Sequence, residues 1–322
     1  MNVVVDPNGP PLAATPSNPV PEGARAGYFV TSDNVRLRYA LFPRKGEVPR
    51  GTVCILQGRA EFIEKYFETI ADFQARGFAV ATFDFRGQGG SERVVPGRLG
   101  YVDRFEDYWT DLRSFHAGIL LPDCPPPFYL VAHSMGGLVA LDAGRRDRLM
   151  FDRLFLSAPM IALEGVGMSM AGASRLANVL SFLGLGRLPL PGHDKPMVEK
   201  TFPDNPLTGD RARYLRNGEV LTAQPNLATG APTIRWAAAA TEMMGEAARD
   251  RFPGSVRIPV LMLAAARDRV VSTPAIEQLG LRMRTGRHIV IPGAQHELFM
   301  ETDPTRGQVL AAFDAFITEQ SG

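Results

Sequence analysis

The chain has 322 residues, of which 45% are hydrophobic and 9% aromatic, enough to bury a sizeable core and to exclude disorder over most of its length. At roughly 150 residues per domain, this length allows about two domains, or one large α/β domain with an insertion. Thirty-five basic residues against 34 acidic ones leave a formal net charge of +1, which excludes a general nucleic-acid binder with its basic face.

Residues 1–24 carry Pro7, Pro10, Pro11, Pro16, Pro19 and Pro21. Proline fixes φ and removes a donor, so this arm is expected to be extended or loosely draped. It has neither a basic n-region nor a long apolar h-region, and no run of roughly 18 apolar residues follows anywhere, so neither a secretory signal nor a bilayer span is expected. A cytoplasmic protein is the expectation.

Next, GYFVTSDNVRLRYALF reads as two strands around a turn at Ser32-Asp33-Asn34. Short apolar runs then alternate with helical spacing. TVCILQ (52–57), FAVATFD (78–84), FYLVAH (128–133), RLFLSAP (153–159), PVLMLAAA (259–266) and HIVIPG (288–293) are predicted strands. Helices are predicted over Glu61–Ala75, ended by Gly77, over Met135–Arg145 and over Thr305–Thr318. Near-continuous apolar strands separated by helices predict an α/β fold: a mostly parallel central sheet covered by helices on both faces, with the leading hairpin as an antiparallel edge.

Between Pro159 and about Arg251 there is no strand candidate. This predicts a core formed by 25–159 and 252–322, and a helical cap or lid formed by the insertion 160–251. An insertion there would lie over the carboxyl edge of the strands, where open α/β sheets bind ligands.

The strand FYLVAH runs straight into Ser134-Met135-Gly136-Gly137 and then a helix. Strand, sharp turn with a central serine, then helix is the context of a nucleophile elbow, which lifts the hydroxyl clear of the sheet. Residues two before and two after the serine must be small. Gly136 satisfies this, and Ala132 stands where glycine is usual.

A serine hydroxyl needs an adjacent base. Of His116, His133, His193, His288 and His296, only His296 lies in a loop just after the last predicted strand, where the base belongs. Asp268 follows the strand PVLMLAAA and is the candidate carboxylate that orients it. The order Ser134, Asp268, His296 is that of α/β-hydrolases. The oxyanion donors should be the backbone N–H groups of Met135 and, by position after strand 52–57, Arg59. This chemistry calls for no metal or organic cofactor, and Cys54 and Cys124 are too few for a disulfide framework or a cysteine zinc site.

The strings QGRAEFIEKY (57–66), DFRGQGGSER (84–93), AHSMGG (132–137), RDRVVS (267–272) and GAQHE (293–297) resemble the α/β-hydrolase branch of bacterial lysophospholipases and monoacylglycerol lipases, also labelled serine aminopeptidase-like. The string 205–236 is more similar to the bacterial lysophospholipase subgroup, and the resemblance covers roughly residues 19–317. It implies a carboxylester hydrolase acting on single-chain lipids through an acyl-enzyme, with Ser134, Asp268 and His296 as the triad and the Arg59 and Met135 amides as the oxyanion hole. It also implies peripheral contact with the inner face of a membrane. The family usually has His-Gly where this chain has Gln57-Gly58.

Two rivals remain. An aminopeptidase or amidase would use the same triad with a cap carboxylate for the substrate amine, from Glu164, Glu199, Glu219 or Glu242. A non-catalytic hydrolase-fold protein would bind a lipid or a partner.

Other residues carry paired readings. Arg59 is either a loop brace or a contact for a lysolipid phosphate. Glu61 and Lys65 are read as a structural ion pair, and Asp84, Arg86, Gly87 and Gly89 as loop architecture beneath the site. The apolar segment 160–186, with Met160, Met168 and Met170, is a membrane-contacting lid or acyl tunnel, or else a helix packed on the core. Arg211, Arg213 and Arg216 are either a solvated face or a face for anionic headgroups.

Overall fold

The structure, a computed structural model, describes residues 5–6, 12–46, 48–165, 170–190 and 201–318. Pro7, Pro10, Pro11, Met168, His193 and Glu199 lie outside them.

One nine-stranded sheet organises the chain. Its strands are β1 (Val5–Asp6), β2 (Arg25–Val30), β3 (Arg36–Phe42), β4 (Thr52–Leu56), β5 (Ala79–Phe83), β6 (Phe128–His133), β7 (Arg153–Ser157), β8 (Val260–Ala265) and β9 (Gly286–Ile291). The spatial order is β1-β2-β3-β5-β4-β6-β7-β8-β9. β1, β2, β3 and β5 pair antiparallel in turn, and every pair from β5 through β4 to β9 is parallel.

The predicted strands all form, with ends moved by at most two residues. β1 was not expected: the arm adds a strand through Val5↔Phe29 and buries Ala13 and Asn18, so its described residues are fastened rather than draped.

Side-chain alternation explains why the apolar runs are continuous. Cys54, Leu56, Leu130, Ala132, Leu154, Leu156, Met262 and Ala264 enter the core on one face of the sheet. Val53, Ile55, Val131, Phe155, Leu261 and Leu263 enter the core on the other. A central strand buried on both faces shows no apolar–polar alternation, and the polar residues Thr52, Thr82, His133 and Ser157 on these strands are themselves buried. The first face is covered by the helices Glu106–Phe115, Met135–Arg146 and Thr273–Arg282, the second by Phe67–Ala75 and Asp303–Thr318. β9 departs from the reading of a buried strand. It is an edge strand, and Ile289 on it is exposed.

Strand order also places the site. From β4 the chain goes to β5 on one side and returns to β6 on the other. The loops leaving β4 and β6 therefore diverge over a crevice at the carboxyl edge, the topological switch point where ligands bind in such sheets. The register Leu56↔Ala132 brings the segment after β4 beside the turn after β6.

Between β7 and β8 the described residues hold helices and no sheet strand: Met170–Leu180, Arg211–Ala223 and Ile234–Ala247. Ala177 and Leu180 of the first pack on Ile234 and Ala238 of the last. Arg93 fastens this segment to the loop after β5, donating to the carbonyls of Gly87, Gly89, Asn226 and Ala228. Arg213 joins Glu68, Asp210 and Asp303, and Arg216 joins Glu68. These two arginines are ionic anchors between helices, so neither a solvated face nor a headgroup face describes them.

Candidate active site

Ser134 stands at the junction of β6 and the helix Met135–Arg146 with φ 50° and ψ −114°. This left-handed conformation is strained for a side-chain-bearing residue, and it persists only because its surroundings hold it. Ser134 N–H donates to the Ser157 carbonyl at 3.0 Å, while its own carbonyl accepts from Gly137 at 2.9 Å and Met160 at 3.0 Å. The small residues are a steric requirement. A methyl on Gly136 would lie 2.5 Å from the Gln57 carbonyl oxygen, and one on Gly137 would lie 2.7 Å from Pro159 Cβ.

Ser134 Oγ lies 3.0 Å from His296 Nε2, and His296 Nδ1 lies 2.8 Å from Asp268 Oδ2. The other carboxylate oxygen of Asp268 accepts from the N–H groups of Val270 at 2.8 Å and Val271 at 2.9 Å. Burial pushes the Asp268 carboxyl up, but the His296 ring and those two amides outweigh it and hold it below the usual range. An ionised carboxylate only accepts, so Nδ1 carries the imidazole proton and Nε2 is left to accept from the serine hydroxyl. The three sequence candidates thus meet in series at the carboxyl ends of β6, β8 and β9, and Ser134 and His296 are both buried.

Met135 is the first residue of its helix, where an N–H has no intrahelical acceptor. The Arg59 N–H also has no acceptor among the described residues. The Arg59 guanidinium braces the loop against the inserted segment, donating to the Gly230 carbonyl at 3.1 Å and lying 5.7 Å from the Trp236 ring centroid. It has no carboxylate partner among the described residues, and burial lowers its pKa.

Behind His296 lies a polar cluster that the sequence only half disclosed. Lys65 Nζ is 2.7 Å from Glu61 Oε1, the predicted pair, and also 2.5 Å from Glu297 Oε1. The His133 ring is neutral, because burial lowers its pKa to about 3, and its centroid is 4.7 Å from that of His296. Ligand atoms of Glu61, His133 and Glu297 lie within 4.8 Å of one another, a spacing that could hold a metal ion. The Lys65 ammonium already bridges both carboxylates and supplies the positive charge a metal would bring. Against the upward push of burial, Lys65 holds Glu61 at about 2, whereas burial and the Glu61 charge raise Glu297.

The turn after β5 is loop architecture, as expected. Asp84 Oδ1 accepts from Ile63 N–H at 2.9 Å, and its Oδ2 accepts from Gly90 N–H at 2.7 Å and Arg38 Nε at 2.7 Å. Gly89 is obligatory there: φ is +49°, and a Cβ would sit 2.2 Å from the Asp84 carboxyl carbon. Arg86 bonds Asp111 and Asp33. Gln57, in place of the family's usual histidine, is fully buried with Oε1 unpartnered among the described residues. Of the carboxylates considered for a substrate amine, Glu219 accepts from Ser17 and Glu242 from Asn178.

A parallel sheet with an antiparallel leading edge, a strained serine between β6 and its helix, and a histidine and an aspartate after the last two strands define an α/β-hydrolase. The chain belongs to the Hydrolase_4 family, described as serine aminopeptidase, S33, whose model matches residues 47–303. It is 30% identical over 311 residues to lysophospholipase L2 of Escherichia coli K12, covering 91% of this chain and 87% of that one. It is 27% identical over 301 residues to a probable lysophospholipase L2 of Haemophilus influenzae, covering 91% and 92%. Among solved structures, a soluble variant of monoglyceride lipase from Saccharomyces cerevisiae with a bound substrate analogue superposes with a TM-score of 0.73 at 19% identity, covering 91% of this chain and 95% of that one. No described helix is long and apolar enough to cross a membrane.

Proposed function

We propose that this chain is a serine carboxylester hydrolase acting on single-chain lipids, with a lysophospholipid as its substrate. The observation that carries the reading is the 3.0 Å approach of Ser134 Oγ to His296 Nε2 on a strained elbow. Ser134 attacks the ester carbonyl as its proton passes to Nε2, and Asp268 stabilises the imidazolium. The N–H groups of Arg59 and Met135 receive the oxyanion. Collapse of the tetrahedral intermediate releases the glycerol-bearing alcohol, which takes its proton from Nε2. Water then attacks the acyl carbonyl as its proton passes to Nε2, and collapse of the second tetrahedral intermediate breaks the Ser134 Oγ–acyl bond, releasing the fatty acid and returning the proton from Nε2 to Oγ. Removing one oxyanion donor typically costs roughly 10²–10³ in rate.

Three features support the lipid part of the reading. The lysophospholipases named above match the chain over nine-tenths of its length. Arg59, on the loop after β4, offers a guanidinium with no carboxylate partner among the described residues, suited to a phosphate. The inserted segment, which we take as a cap over 160–251, exposes an apolar ridge of Leu176, Val179, Phe182, Leu183 and Leu188, with Phe182 91% exposed. A ridge of this kind suits contact with a lipid surface from which a lysolipid is drawn.

A hydrolysis panel tests the assignment: lysophosphatidylcholine, lysophosphatidylethanolamine, monoacylglycerol, a short nitrophenyl ester and an aminoacyl arylamide, each with and without vesicles. Preference for the two lysophospholipids, reduced towards the monoacylglycerol rate by Arg59→Leu, is the expected result. Preferential cleavage of the arylamide would transfer the assignment to an aminopeptidase.

A further inference from the structure

Three consecutive amides, those of Gly58, Arg59 and Ala60, line the loop that follows β4. The outer two are taken by side chains. Gly58 N–H donates to Glu61 Oε2 at 2.5 Å, and Ala60 N–H donates to Gln88 Oε1 at 2.8 Å. Gln88 Nε2 returns a bond to the Gly58 carbonyl at 3.2 Å. One carboxamide therefore grips the loop on both sides of Arg59, and the Arg59 N–H between them has no acceptor among the described residues.

The grip has work to do. Ala60 sits at φ +63°, a left-handed conformation that costs an L-residue roughly 1 kcal/mol or more and needs support. Both gripping residues are themselves held. Gln88 is 2% exposed, in a turn closed by Gln88 N–H to Phe85 and by Ser91 N–H to Gln88, both at 3.0 Å. Glu61 accepts from Tyr66 Oη at 2.7 Å and from Lys65 Nζ at 2.7 Å. Lys65 continues to Glu297, the neighbour of His296. The donor loop and the base loop thus rest on one buried ionic bridge. Gly58 is the residue that fits, since a Cβ there would lie 3.0 Å from Glu61 Oε2 and 3.1 Å from His133 Cδ2.

We infer that Gln88, with Glu61, is a positioning residue for the oxyanion hole: by consuming the polar groups on either side of Arg59, it leaves that one amide aimed at the carbonyl oxygen of the substrate. The inference rests on the proposed serine hydrolase reading and deepens it. Gln88 touches no reacting atom and acts through the loop. Preorganised donors lose their value when their support loosens, even while the fold survives.

The test uses a soluble short nitrophenyl ester and a trifluoromethyl ketone, which forms a hemiketal oxyanion on the serine. Gln88→Leu removes both bonds. Gln88→Glu keeps the shape and the Ala60 bond but sets an oxygen against the Gly58 carbonyl. For both, kcat is expected to fall roughly 10- to 100-fold with KM within about twofold, and the ketone inhibition constant to rise by the factor lost in kcat/KM. A variant folded by circular dichroism that retains kcat within about twofold, or that loses kcat with ketone affinity unchanged, would overturn the inference. The wild-type chain gives a reading that no folding defect can obscure. On ketone binding, the amide protons of Arg59 and Met135 should move downfield, and those of Gly58 and Ala60 should not. A downfield shift at Gly58 or Ala60 in place of Arg59 contradicts the grip. Ser134→Ala runs alongside: activity surviving in it would sink the hydrolase reading itself, whereas its loss together with unaffected Gln88 variants would sink only this inference.

Discussion

His296 Nε2 lies 3.0 Å from Ser134 Oγ although 162 positions separate them along the chain, and the same imidazole reaches Asp268 through its other nitrogen at 2.8 Å. A ring held from one side by a carboxylate presents a bare nitrogen to the hydroxyl on the other. Asp268→Asn keeps the shape but removes the charge and unsettles the tautomer, so kcat on a nitrophenyl ester should fall by roughly 10²–10⁴. A folded variant with unaltered kcat would show that Asp268 does not orient the base.

Among the described residues, Lys65 is the only cation bonded to both Glu61 and Glu297 in the buried cluster behind His296. Lys65→Met would leave two carboxylates buried without their partner, and removing one partner of a buried ion pair costs about 3–5 kcal/mol. Urea unfolding at neutral pH should show a loss of that size. A loss under about 1 kcal/mol would place the pair among surface-like bridges.

His133 makes stability depend on pH in a defined window. Its folded pKa is about 3 because burial disfavours the imidazolium, against an ordinary value of 6.5. Glu61, Lys65, Asp268 and His296 are the charged or titratable groups that act on it. Between those two values the unfolded chain binds the extra proton, so unfolding free energy rises with pH and stability drains as pH falls below about 6.5. Urea midpoints at pH 7.5 and 5.0 should fall more for the wild type than for His133→Asn. Equal falls would mean that His133 contributes nothing. Both pH values lie above the ordinary carboxyl value of 4.5, below which Glu61, held low in the folded chain, also begins to drain stability.

The exposed ridge on the segment inserted between β7 and β8 gives a binding prediction separable from chemistry. Phe182 and Leu183 are 91% and 64% exposed. Changing both to Asp should weaken flotation with phosphatidylcholine vesicles and lower hydrolysis of vesicle-borne lysolipid, while leaving cleavage of a soluble short ester within about twofold. Unchanged flotation would remove the ridge from the account.

Much of this architecture was written in local pattern. Strands buried on both faces lack the apolar–polar alternation of half-exposed ones, so β4, β5, β6, β7 and β8 stood out as mostly apolar runs. The elbow was legible because steric closeness demands Gly136, and the convergence of Ser134, Asp268 and His296 because each follows its own strand. What stayed hidden depends on contacts between distant segments. Lys65 meets Glu297 across 232 positions, so the sequence disclosed only its local partner Glu61. Gln88 lies in the DFRGQGG string as one polar residue among turn-formers, and nothing there says that its carboxamide grips a loop 28 residues earlier. Arg213 read as surface charge because its partners Glu68 and Asp303 come from other elements. The exposure of β9 follows from its place at the sheet edge, which topology decides and an apolar run does not.

The central claim is that the Ser134 hydroxyl is the nucleophile. Measuring kcat/KM of Ser134→Ala on a short nitrophenyl ester, with the fold checked by circular dichroism, tests it most directly. The account predicts a fall of at least about 10⁴-fold in a protein that remains folded. Ester hydrolysis within about tenfold of wild type would contradict it.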